Sequence, residues 1–187
     1  MAVYSKQSLI TELLDRVELV KAGTQPFLRL TDEQLNIRPH PDKWSIAEIF
    51  EHLNIIHASY IRSIISRITI APDVKTDTFK SGWLGDWLYS TIMPRPDGSV
   101  FKMKTLKSLH PGNGNLDGQD VLYRFLQQCD GIDDILRHVS TKNLQKIRIP
   151  FASTRFLKLR LGDNLRYLVA HSERHMLQAQ RVMDFLR

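Results

Sequence analysis

Four long stretches of this 187-residue chain repeat apolar residues at three- and four-residue spacing, and no run alternates convincingly in the manner of strands. That pattern restricts the chain to helices that bury one face each against one another. The first stretch runs from about Ser5 to Ala22, with Leu9, Leu13, Leu14, Val17 and Val20 on one side and Gly23 as a stop. The second, "DKWSIAEIFEHLNIIHASYIRSIISRITI", is the best marked. Ser45 is a natural N-cap with Glu48 three residues on, Trp44 and Ile49 suit a hydrophobic staple, and the helix should end near Ile68, before Pro72. A third opens near Asp117, where Asp120 strengthens a negative first turn, and continues to about Val139. The fourth spans about Gly162 to Phe185.

The connections are uneven. "LTDEQLNIRP" is a short turn in which Thr31 and Gln34 have capping-box spacing. Residues from about Asp73 to Asn115 are dense in Gly, Pro and Asn and read as a long crossover with one short helix around Trp83 to Ser90. A second connection before the fourth helix carries a short extended stretch at Lys146 to Ile149. The expectation is an all-α four-helix bundle, one domain over residues 1–187, with a long crossover between helices 2 and 3. Those two helices then need not be simple antiparallel neighbours.

Composition narrows the class further. The N-terminal segment carries charges every few residues and offers neither a signal-peptide core nor a membrane span, so a cytoplasmic protein without a membrane partner is expected. The single cysteine, Cys129, excludes an intrachain disulfide and sits in an apolar run, which favours a buried inert thiol over a nucleophile. The net charge is +6, and Arg137, Lys142, Lys146, Arg148, Arg155, Lys158 and Arg160 occur with no acid among them. No nucleic-acid-binding signature accompanies that excess, so no specific nucleic-acid partner is expected.

The feature that carries chemistry is "YLVAHSERHMLQAQ". On a helix His171 and His175, four apart, share a face and could reach one ion, whereas Glu173 points away. The order H-x-E-x-H therefore fails as a zinc-protease motif, which needs its glutamate beside the metal-bound water. A catalytic zinc site has three protein ligands and an open position. His40, His110 and His138 fall in turns, loops or at a helix end, leaving His52 and His57 of the second helix, and periodicity does not separate these two.

Two segments resemble a known family. "LTDEQLNIRPHPDKWSIAEIFEHLNIIHASY" looks like the first signature of the DinB-like (YfiT-like) four-helix-bundle family, where "P…KWS" leads into a helix bearing "EHL". "LGDNLRYLVAHSERHMLQAQRV" resembles its second, an H-x-x-x-H helix followed by Gln. The resemblance implies a divalent metal held by His52, His171 and His175, with Zn²⁺ the first expectation and Ni²⁺ the second. It also implies a metal-dependent hydrolase or an S-transferase that uses a low-molecular-weight thiol against an electrophilic substrate. The basic residues Arg155, Lys158 and Arg160 are the expected contacts for such a thiol, and a homodimer is compatible with the bundle. The competing expectation is a non-enzymatic bundle with a structural or vestigial metal site, acting in stress response or assembly. Gln178 is expected to be exposed, Trp44 to serve only as a staple, and His57 to point away from the other histidines.

Overall fold

The computed structural model describes residues 1–93, 101, 106–112, 114–151 and 156–186. Its elements in order are β1 (Val3–Ser5), α1 (Lys6–Thr24), α2 (Asp32–Asn36), α3 (Ile46–Ile68), β2 (Thr78–Lys80), α4 (Trp83–Ile92), α5 (Gly118–His138), β3 (Arg148–Pro150), β4 (Lys158–Arg160) and α6 (Leu161–Phe185). The four long helices are thus those expected from periodicity. α1 runs one residue past the expected stop at Gly23, where the absent side chain leaves room for Met176: a Cβ there would lie 3.2 Å from Met176 Cε.

Capping fixes where the helices begin. Ser45 Oγ accepts from the Glu48 N–H and the Glu48 carboxylate accepts from the Ser45 N–H, a complete capping box. Arg38 clamps the same carboxylate through Nε, at 2.8 Å, and through Nη2. Asp117 caps α5 through the Asp120 N–H at 2.9 Å. α6 has no side-chain cap. Instead, its first amides donate to the carbonyls of Ile147 and Leu144 in the preceding connection.

Contact pairs give the direction of each helix. Asn54 bonds the Val121 carbonyl and Ile61 reaches Gly131, so α3 and α5 run parallel. This agrees with the long crossover, and the two pack directly: Phe125 sits edge-on to Phe50 at 4.9 Å, and Phe50 edge-on to Phe27 at 5.4 Å. Lys21 of α1 pairs with Asp130, while Leu30, beyond its end, meets Gln119 near the start of α5; those helices are antiparallel. His52 lies beside His175 and His57 beside Ser172, making α3 and α6 antiparallel. The bundle is therefore up-down-down-up.

Two small antiparallel ribbons sit at the end where α6 begins. β1 pairs with β2, with Tyr4 opposite Phe79, and β3 pairs with β4, with Ile149 opposite Leu159. The extended stretch expected at 146–149 is displaced to 148–150, and its partner strand was not legible in the sequence. The histidine cluster occupies the opposite end, where α3 begins.

Candidate metal centre

His52 lies in the second turn of α3, and His171 and His175 lie one turn apart on α6. The antiparallel crossing brings all three together. Ring centroids are 5.4 Å apart for His52–His171, 4.8 Å for His52–His175 and 4.5 Å for His171–His175. One nitrogen from each lies within 4.8 Å of the others. All three side chains are buried. Among the described residues the group has three members and no carboxylate.

Their surroundings prepare them as ligands. His52 Nδ1 lies 2.7 Å from the Leu109 carbonyl and His175 Nδ1 lies 2.9 Å from Gln178 Oε1. Oxygen acceptors at those positions require Nδ1–H, which leaves the Nε2 lone pair of each ring free. His171 Nδ1 is buried without a hydrogen-bond partner among the described residues. Burial lowers the pKa of all three: His171 well below the usual imidazole range, His175 to about 3, and His52 in the same direction against the pull of its Leu109 bond. Three neutral, lone-pair-bearing nitrogens facing one point fit a borderline divalent ion. The long crossover contributes through Leu109, whose helical turn (Lys107–Leu109) delivers the carbonyl that orients His52.

Aromatic rings wall the site. Trp44 lies 4.9 Å from the His52 ring, 6.5 Å from His175 and 5.7 Å from the exposed His110. Tyr167 stacks on His171 at 5.8 Å, and burial pushes its phenol up to about 12. Two expectations are corrected here. Gln178 is half-buried and bonds a member of the cluster, and Trp44 is a wall of the site in addition to standing at the start of α3. Residue spacing held a signal for the first, since Gln178 is seven residues, two helical turns, beyond His171.

The other expected residues are placed as follows. His57 turns into the core, its Nε2 2.9 Å from Ser172 Oγ, and burial takes its pKa to about 3. Glu173 points away and is held by Arg16 of α1 through two bonds of 2.7 and 2.6 Å. Cys129 is buried in α5, and burial pushes its thiol up to about 12. Lys158 and Arg160 are not brought to the histidines. They lie in β4 at the far end of the bundle, roughly 16 Å or more along α6 from His171 by helix rise. Arg160 also donates to the Lys80 carbonyl. Arg155 lies outside the described residues. No described helix is long and apolar enough to cross a membrane.

The helical bundle that carries this cluster is the architecture to which the comparisons point. The sequence matches the DinB superfamily over residues 17–179, and the chain belongs to that superfamily. Among solved structures it is similar to YfiT from Bacillus subtilis, described as a probable metal-dependent hydrolase with an unusual four-helix bundle topology. The TM-score is 0.56 at 15% identity, covering 97% of this chain and 87% of that one, which shows a shared fold. No curated protein matches the sequence.

Proposed function

We propose that His52, His171 and His175 hold a divalent metal ion, with Zn²⁺ first and Ni²⁺ second, and that the protein is a metal-dependent enzyme. The activity that fits best is transfer of a low-molecular-weight thiol to an electrophilic substrate, or a related hydrolysis. The observation that carries the reading is the set of three buried neutral imidazoles, two of them oriented by oxygen acceptors. Three protein ligands, without a fourth among the described residues, match the pattern of catalytic rather than structural zinc sites. When bound, such an ion supplies Lewis acidity that lowers the pKa of a coordinated water or thiol.

The chain's own residues have defined parts. The Leu109 carbonyl and Gln178 fix the tautomers and ring orientations of His52 and His175. Trp44 and Tyr167 restrict solvent around the cluster. A side-chain nucleophile is lacking among the groups already considered: Cys129 is buried on another helix, and Glu173 is committed to Arg16. The attacking group is therefore taken from solution. In the transfer reaction the thiolate sulfur forms a bond to the electrophilic carbon while the carbon–leaving-group bond breaks.

The test is an activity screen on chelator-stripped protein and on the same protein reloaded with Zn²⁺ or Ni²⁺. It combines several small thiols with 1-chloro-2,4-dinitrobenzene and, separately, simple esters without thiol. Turnover that requires the ion is expected, with thiol dependence separating transferase from hydrolase. Equal rates in stripped and reloaded protein would refute the proposal.

A further inference from the structure

Most charge-bearing arginines packed against the described bundle have a carboxylate partner; Arg160, at the far end, and Arg174, beside the histidines, do not. Arg16 holds Glu173, Arg38 holds Glu48, Arg124 holds Glu51 and Asp120, and Arg166 holds Asp86. Arg174 has no carboxylate partner among the described residues. Its Nη1 reaches the Thr91 carbonyl at 3.5 Å and its Nη2 donates to the Phe101 carbonyl at 2.5 Å. Carbonyls are neutral, so these two contacts do not balance the charge, and among the described residues they engage only two of the five N–H donors. A half-buried cation without a counter-ion is costly unless something else supplies the charge.

Its position says what that something is near. Arg174 is seven residues after Tyr167 and three after His171, so Tyr167, Arg174, Gln178, His171 and His175 occupy roughly 100° of one face of α6. The guanidinium adds to the burial that keeps His171 and His175 neutral, and it opposes the burial that raises the Tyr167 phenol.

Resting on the metal reading above, we infer that Arg174 is the substrate-recognition residue of the three-histidine site and that it binds a carboxylate carried by the thiol or substrate. The planar guanidinium fork matches a carboxylate bidentately, which selects for this group and not for a bulk anion. The site would then discriminate between ligands with identical metal-binding ends and different tails.

The test uses Co²⁺-loaded full-length protein and two probes that share a thiol: 3-mercaptopropionate, which carries a carboxylate, and 2-mercaptoethanol, which does not. Thiolate-to-cobalt absorption reports each Kd. In the parent protein 3-mercaptopropionate should bind roughly tenfold tighter, the order expected for a charge-assisted hydrogen bond. Arg174→Gln should bring the ratio of the two Kd values near one, and Arg174→Lys should keep part of it. Equal affinities in the parent protein, or a ratio unchanged in Arg174→Gln, would overturn the inference. A second readout is independent of thiol binding to metal: the Nε–Hε NMR signal of Arg174, assigned by its loss in Arg174→Lys, followed during titration with propionate. If cobalt binds but neither thiol gives an absorption band, the thiol reading fails. The carboxylate inference then stands if propionate shifts this signal and falls if saturating propionate leaves it unmoved.

Discussion

Acidification of the metal-free protein should cost stability through its buried histidines, and the size of the effect follows from their burial. His57 and His175 are held to about 3, and His171 is held well below the usual range, all chiefly by desolvation. A base whose folded pKa is depressed carries fewer protons folded than unfolded. Its contribution is therefore fully present above the unfolded pKa of about 6.5 and is lost as pH falls through that value toward the folded pKa. From about pH 7.5 to about pH 5.5 each such histidine withdraws about 1.4 kcal/mol, and three withdraw about 4 kcal/mol, a large share of an ordinary folding free energy. Burial raises the carboxyl pKa of Asp133 and Asp163, which acts in the opposite sense at the acidic end. A difference experiment isolates the histidine part. Urea unfolding in the presence of chelator is measured at both pH values for the parent and for His57→Gln, which touches no member of the cluster's hydrogen bonds to Leu109 or Gln178. The variant should lose about 1.4 kcal/mol less than the parent over the interval. Equal losses would show that His57 is not held neutral by its surroundings, and the reasoning from burial would fail.

Other substitutions probe the site and its frame. Gln178→Leu removes the acceptor on His175 Nδ1 and should weaken metal binding by about 10- to 100-fold in competition with a chelator, while Gln178→Glu retains an acceptor and should not. Gly162→Ala should lower the melting temperature, because the new Cβ would meet the fully buried Phe79 ring at 2.6–2.8 Å. Overpacking of that kind costs roughly 1–3 kcal/mol, set against a helix-propensity gain of about 1 kcal/mol for alanine. Cys129 should resist an aromatic disulfide reagent at mildly alkaline pH and react only as urea unfolds the chain, since burial raises its thiol to about 12.

The parts of this architecture that were legible in the sequence are those written in local chemistry. Ser45 with Glu48, Asp117 with Asp120, and the apolar stripes located the long helices, because caps and periodicity are short-range signals. His171 and His175 were legible for the same reason. Choosing His52 over His57 was not a matter of periodicity, since both side chains are buried on α3 and only the crossing with α6 sends one to the cluster and the other to Ser172. The β1–β2 ribbon joins residues 75 apart through three-residue strands, too short to carry an alternating pattern. Gln178 and Trp44 were underrated because each has a sufficient local explanation, surface exposure for one and a helix staple for the other. Lys158 and Arg160 were grouped with the site by charge alone, and the strand that carries them lies at the other end of the bundle.

The central claim is that the three histidines together hold one divalent ion, and metal content per chain tests it most directly. The parent protein and single His52→Ala, His171→Ala and His175→Ala variants are exposed to Zn²⁺ or Ni²⁺, desalted and measured by elemental analysis, with His40→Ala as a control away from the cluster. The account predicts close to one ion per chain in the parent and the control, and strongly reduced occupancy in each cluster variant. A parent protein that retains neither metal, or a His171→Ala variant that retains a full equivalent, would contradict it.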